Sequence, residues 1–307
     1  MIDHTWHPDH HYQTPPLDHA YLRSVVKMAL AEDIGNGDIT TSLTIPEDID
    51  PLAAKKPFKG QFVAKENGVL AGREILRMVF DSDLIEFLQR VDINTTVSFM
   101  WDDGTGIEAG DLIAEVSGQP STILRGERVA LNFLQRLSGI ATLTHKYVQL
   151  VSHTKAKITD TRKTTPGLRR LEKYAVTVGG GVNHRFNLSD GILIKDNHIA
   201  VAGGVTAAVT AAKANAPHLL RIECEVTNLD QLAEAIAAGA DIVLLDNMPI
   251  NMLKQAVEFV AGRVITEASG GVNEQNVAAI AETGVDLISV GALTHSAPAL
   301  DISLEFR

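Results

Sequence analysis

Between Lys155 and His198 the chain carries nine Lys/Arg and four Asp/Glu, a local charge of +5 inside a protein of net charge −11. Arg162, Lys163, Arg185 and Lys195, with His184 beside them, supply most of the chemistry there. A cationic island in an acidic chain suits a concave site for a small polyanion. Guanidinium grips carboxylate or phosphate through two parallel hydrogen bonds, and an ammonium acts as a point charge. A nucleic-acid surface would make a whole domain basic, so that class is not expected. Structural salt bridges are the alternative, but few acids lie nearby in sequence to make them. Farther along stand Glu225 and Asp246, then Ser269-Gly270-Gly271 and Gly291. Carboxylates opposite such cations can hold Mg²⁺, bind ribose hydroxyls or face a developing carbocation. Glycine-rich turns can cup a phosphate with backbone N–H groups.

These residues recur at one place in a repeated pattern. Short apolar runs, each followed by a helical pattern, occupy residues 157–160, 192–195, 222–226, 241–246, 264–268 and 286–290. Arg162, Lys163, Lys195, Glu225, Asp246, Ser269-Gly270-Gly271 and Gly291 sit where those runs end. Strands apolar on both faces and alternating with helices imply a parallel sheet covered by helices. The expected fold class is α/β, an incomplete TIM-like barrel, with a doubly wound sheet as the alternative. In both, chemistry belongs at the C-terminal strand ends. Glu223 and Glu225 share a strand face, and Glu225 is taken as the one nearer the rim. Asn228 or Thr227 is read as a helix cap with Gly239 as the stop, Pro249 as a first-turn residue, and Asn273 as the cap of a helix ending at Gly284.

Upstream, Asp18 can cap a helix striped by Leu22, Val25, Val26, Ala29 and Leu30 that stops before Gly35. Residues 58–118 read as strands and turns around a helical stretch from Gly72 to Leu88, with no catalytic cluster. Residues 121–151 read as a long helical region in which Gly126 and Gly139 mark a bend or a close contact. Its Arg125, Arg128 and Arg136 are expected to be solvated or in surface ion pairs. Residues 1–16 hold His4, His7, His10 and His11; a loosely docked arm is preferred to a metal-binding tail. No apolar run is long enough to span a membrane, and no apolar leader segment is apparent. The single Cys224 reads as a half-buried strand residue of a cytoplasmic protein.

As a set, several motifs resemble the quinolinate phosphoribosyltransferase family. They are residues 32–41 (EDIGNGDITT), 127–142 (ERVALNFLQRLSGIAT), 160–169 (DTRKTTPGLR), 179–185 (GGGVNHR), 193–198 (LIKDNH), 244–247 (LLDN), 267–271 (EASGG) and 290–295 (VGALTH). The resemblance runs from about residue 20 to the end; Asn187, where the family commonly has Gly, departs from it. It implies a glycosyltransferase, a decarboxylating phosphoribosyltransferase of NAD biosynthesis. Such enzymes convert quinolinate and 5-phosphoribosyl 1-pyrophosphate to nicotinate mononucleotide, pyrophosphate and CO₂. It further implies Mg²⁺, a cytoplasmic homodimer, an N-terminal α/β sandwich (17–130, with 297–307 packing on it) and a barrel (131–296); the arm, residues 1–16, falls outside it. By the same resemblance Arg162, His184, Arg185 and Lys195 bind quinolinate, and Arg128 reaches the neighbouring subunit's site. Lys163, Glu225 and Asp246 act at the phosphoribosyl substrate, the two acids directly or through the metal. Thr161, Ser269, Gly270, Gly271, Val290, Gly291 and Ala292 complete the substrate contacts.

Three rival readings remain. A nicotinate phosphoribosyltransferase should need fewer cations. A catalytically silent metabolite-binding or molybdate-associated relative should lack Lys163, Glu225 or Asp246. A barrel lyase would use Lys195 as a Schiff-base amine, its basicity lowered by the neighbouring arginines.

Overall fold

The computed structural model describes residues 17–45, 58–81, 84 and 95–306. The readings of residues 1–16, and of the stretch from Gly72 to Leu88 beyond residue 81 apart from Leu84, lie outside them. The chain divides into two compact units: residues 1–143, 166–179 and 297–307, and residues 144–165 and 180–296.

In the first unit the helix α1 (His19–Ile34) begins where the Asp18 carboxylate accepts the Ala20 N–H and ends at Gly35, φ 54°. A second helix, α2 (Ile39–Thr44), is capped by Asp38. Strands β1 (Phe58–Ala64), β3 (Thr96–Phe99), β5 (Leu112–Gly118) and β12 (Ile302–Phe306) pair antiparallel in the order β12-β1-β5-β3. A two-stranded ribbon joins β2 (Gly68–Val69) to β4 (Gly106–Ile107). Helix α3 (Arg73–Val79) has Gly72 at its N-cap, φ 115°, and no side-chain cap of its own. The Asp103 carboxylate takes that role, accepting the Gly72 and Arg73 N–H groups at 3.1 and 3.2 Å and the Tyr174 hydroxyl at 2.6 Å. Phe62, Leu70, Ile75, Leu76, Ile113 and Leu134 are wholly buried in its core.

The long helical region expected over 121–151 is one helix, α4 (Pro120–Val151). Gly126 and Gly139 mark close contacts. A Cβ on Gly126 would meet the Phe80 ring, and one on Gly139 would meet the Pro298 carbonyl oxygen. The arginines of α4 also differ from expectation. Arg128 is exposed, but Arg125 is only 7% exposed. Arg136 pairs at 2.8 Å with the buried Glu172 of α5 (Arg169–Val178) and donates to the Ala297 carbonyl.

In the second unit six strands run parallel: β6 (Lys157–Thr159), β7 (Ile192–Ile194), β8 (Ile222–Val226), β9 (Ile242–Asp246), β10 (Ile265–Ser269) and β11 (Leu287–Ser289). Their order is β6-β11-β10-β9-β8-β7, so β6 and β7 are the end strands of an incomplete barrel. Between them fall α6 (Asp196–Ala202), α7 (Val205–Asn215), α8 (Leu229–Ala238), α9 (Ile250–Val260), α10 (Val277–Ala281) and α11 (Ala292–His295). Asn228 caps α8 by accepting the Gln231 N–H, and Gly239 ends it at φ 97°. Pro249 is the N-cap of α9. Asn273 is not the cap of α10. It accepts the Gln275 and Asn276 N–H groups in a preceding turn, and the helix starts only after Asn276. Cys224 is fully buried rather than half-buried, because β8 is covered on both faces. No helix among the described residues is long and apolar enough to cross a membrane.

Replacing Gly139 by Ala should improve helix propensity by about 1 kcal/mol. The new methyl meets a backbone oxygen that cannot rotate away, and overpacking costs about 1–3 kcal/mol. Gly139→Ala is therefore expected to lower the melting temperature; an unchanged or raised value would show that the approach to Pro298 is not tight.

Candidate active site

The strand register decides which side chains meet. Glu225 and Glu267 both stand level with Leu244, and Asp246 stands level with Ser269 one step nearer the C-terminal end. Residues two apart share a strand face, so Glu223 lies directly below Glu225. Glu225, Leu244, Asp246, Glu267 and Ser269, together with the loops, line a cavity of about 790 Å³, within the usual ~300–1,000 Å³ of small-molecule sites.

The cations enter from three segments. Thr161, Arg162 and Lys163 follow β6; the Thr161 hydroxyl accepts the Lys163 N–H at 3.0 Å, and Thr294 of α11 donates to the Lys163 carbonyl at 2.8 Å. The segment carrying His184 and Arg185 is tied alongside β6. Val182 donates to the Ile158 carbonyl, and the buried Asp160 accepts the His184 N–H at 3.0 Å and the Asn183 amide at 2.6 Å. Arg185 donates to the Gly191 carbonyl at 2.8 Å. Burial, and then the charge of Arg162, hold its guanidinium below the usual range. Two guanidiniums that repel across a cavity are what a bound dianion would stabilise. Lys195, at the start of α6, makes a 2.7 Å ion pair with Glu225.

On the opposite side, Asp246 accepts the Asn247 side-chain amide at 2.8 Å. Asn247 has φ 53° and donates its N–H to the Ser269 carbonyl at 2.8 Å, locking the turns after β9 and β10 together. Gly270, φ 89°, lies so close to the Asn247 amide that no side chain fits there. Gly291 passes the Lys163 stem, where a Cβ would come within 3.4 Å. Gly271 and Ala292 also line the cavity. Val290 is buried and does not, and Arg128, on α4, is not among the lining residues.

Sequence reasoning passed over Glu267 and set Glu223 aside. Glu223 Oε2 lies 3.1 Å from His184 Nε2, and Glu267 Oε1 lies 3.8 Å from the same nitrogen. The three ligand atoms lie within 4.8 Å of one another. His184 Nδ1 accepts the Arg185 N–H at 2.7 Å, which leaves the ring proton on Nε2. That nitrogen is a donor to the acids, not a metal ligand. Burial, and then the Glu223 charge, push the Glu267 carboxyl up to about 7. Two Glu codons on alternate strands carry no signal that their side chains converge; only the register shows it.

Comparison with known proteins gives the chain's family. The family profile described as quinolinate phosphoribosyl transferase, N-terminal domain, matches residues 38–138, and its C-terminal domain matches residues 140–305. The chain belongs to the quinolinate phosphoribosyl transferase family. It is 42% identical over 289 residues to a probable nicotinate-nucleotide pyrophosphorylase (carboxylating) of Bacillus subtilis, covering 94% of each. It is 43% identical over 291 residues to the Mycobacterium leprae nicotinate-nucleotide pyrophosphorylase (carboxylating), covering 92% of this chain and 96% of that protein. The solved structure of the Francisella tularensis nicotinate-nucleotide pyrophosphorylase superposes with a TM-score of 0.85 at 40% identity, covering 96% of this chain and 99% of that one.

A carboxyl held above its ordinary value of 4.5 keeps a proton that the unfolded chain has already released. Stability should therefore fall as pH rises from about 4.5 to about 7, the window between the unfolded and folded values of Glu267. Glu267→Gln removes that titration. Its melting temperature is expected to decline less over this window than that of the native chain, and parallel curves would contradict the reading.

Proposed function

We propose that this chain is a quinolinate phosphoribosyltransferase. It converts quinolinate and 5-phosphoribosyl 1-pyrophosphate to nicotinate mononucleotide, pyrophosphate and CO₂, in the de novo synthesis of NAD. The observation that carries the reading is one cavity lined by Arg162, Arg185, Lys195 and His184 together with Glu225 and Asp246. Quinolinate is a dianion, so it needs several cations and little else. A nicotinate enzyme would face one fewer carboxylate, and the crowding of Arg162 on Arg185 would be less fully offset. Lys195 Nζ is engaged by Glu225 rather than free to attack a carbonyl, which argues against the Schiff-base reading.

In the first step the pyridine nitrogen attacks the anomeric carbon and the bond to pyrophosphate breaks. Glu225 and Asp246 face the ribose as positive charge develops on it. Ser269, Gly270, Gly271 and Gly291 receive the phosphates, with Thr161, Val290 and Ala292 supporting those loops, and Lys163 meets the pyrophosphate. The quaternised ring then accepts the electron pair left when the 2-carboxylate departs as CO₂. The protein's part is to align the two substrates and to hold charge where it develops. The oxygen-only donors Glu225 and Asp246, facing one cavity, fit Mg²⁺. When bound, that ion screens the negative charge of the leaving pyrophosphate.

The working unit is proposed to be a cytoplasmic homodimer. Arg128 is exposed on α4 and is assigned to the partner's cavity. The buried, unpaired Cys224 agrees with a reducing compartment.

The test is release of pyrophosphate and CO₂ with quinolinate against nicotinate as acceptor. Quinolinate is expected to support both, and preference for nicotinate would overturn the assignment. Lys195→Ala is expected to raise the KM for quinolinate and to lower kcat/KM by roughly 10- to 150-fold. That is the loss of one charge-assisted contact, about 1.5–3 kcal/mol. An unchanged kcat/KM would remove Lys195 from the site.

A further inference from the structure

The proposed reaction leaves one group at the inner end of the cavity without a task, and leaves one proton without a source. Loss of CO₂ breaks a carbon–carbon bond and puts its electron pair on ring carbon 2. That carbon must then form a bond to hydrogen. Arg162, Arg185 and Lys195 are occupied with the substrate's carboxylates in the proposed reading. The Nε2 proton of His184 points at Glu223, which is not a lining residue.

Glu267 is different. It lines the cavity yet is only 2% exposed. It stands level with Glu225 and one step below Asp246 and Ser269, beneath the groups assigned to ribose and phosphate. Its Oε1 makes no hydrogen bond, and neither does Oε1 of Glu223, which is 6% exposed. Every element packed around Glu267 brings a group to bear. Glu223 comes from β8, Asp160 from the end of β6, His184 from the loop beside β6, and Ser289 from β11. Two of these neighbours are carboxylates, and Asp160 is already engaged by His184 and Asn183. A buried carboxyl facing two acids is held in its neutral, proton-bearing form, and that proton has no partner on Oε1.

We propose that Glu267 is the general acid that protonates ring carbon 2 as CO₂ leaves. In this step the Glu267 O–H bond breaks and the C2–H bond forms. The pair left on ring carbon 2 becomes the C2–H bond, the ring nitrogen keeps its bond to the ribose and its positive charge, and Glu267 is left as a carboxylate. Crowding by Glu223 then drives it to take a proton from solvent before the next turnover. The proposal rests on the quinolinate reading above.

The test uses the full-length chain with quinolinate and 5-phosphoribosyl 1-pyrophosphate. General-acid transfer is worth about 10²–10⁴-fold, so Glu267→Gln should lower kcat by at least 10²-fold while the quinolinate KM stays within about threefold. Glu267→Asp should recover part of the rate. In the native enzyme kcat should fall on the alkaline side, at or above pH 7, and that limb should vanish in Glu267→Gln. A native kcat that is flat from pH 7 to 9 overturns the assignment without any variant. So does a Glu267→Gln enzyme of native kcat, or one changed only in KM. If the native chain itself releases no CO₂ from quinolinate, the underlying reading fails. Normal native turnover beside an unaffected variant removes Glu267 alone.

Discussion

Arg162 and Arg185 share one cavity, and the charge of Arg162 makes that of Arg185 more costly. Much of the second unit can be understood as the scaffold that holds this repulsion in place. A parallel sheet brings all its C-terminal ends to one side, so segments distant in sequence deliver their side chains to a single rim. The edge strand β6 is extended by the segment carrying His184 and Arg185, through Val182 and Asp160. The guanidiniums are thus fixed by backbone and by buried hydrogen bonds. Water screens them poorly, and a small dianion is the natural counter-charge.

The same crowding recurs among the acids, separated by depth. Glu223 and Glu225 are two residues apart on one strand face, yet their surroundings differ. Glu225 meets Lys195 at the cavity, whereas Glu223 is buried against His184 and Glu267. One strand therefore presents a paired carboxylate near the rim and an acidic pocket beneath it. Charges of both signs are sorted by height, cations and paired acids outward and the proton-bearing cluster inward. Asn247 and Gly270 add a rigid corner, because a positive φ and a glycine allow two loops to touch.

The first unit relies on complementary devices. Its α3 lacks a cap of its own and borrows Asp103, which Tyr174 holds from α5. Its α4 accepts the C-terminal segment only because Gly139 has no side chain. Arg136 ties Glu172 and the Ala297 carbonyl into the same region. These contacts join residues far apart in sequence, so the unit is closed by the return of the chain's last residues.

The sequence by itself determined the class of fold and most of the site. Six apolar runs alternating with helical patterns required a covered parallel sheet. The rim residues Arg162, Lys163, Lys195, Glu225, Asp246 and Ser269 to Gly271 stand where those runs end, and they line the cavity together with His184 and Arg185. Caps such as Asp18 and Asn228 were legible because their hydrogen bonds are local. What reaches across strands was not legible. The convergence of Glu267 and Glu223 on His184, the burial of Arg125 and the full burial of Cys224 depend on register and packing. Asn273 misled because a side chain that closes a turn and one that caps a helix look alike in sequence. Periodicity records which face of an element is apolar; only the tertiary structure decides which faces meet.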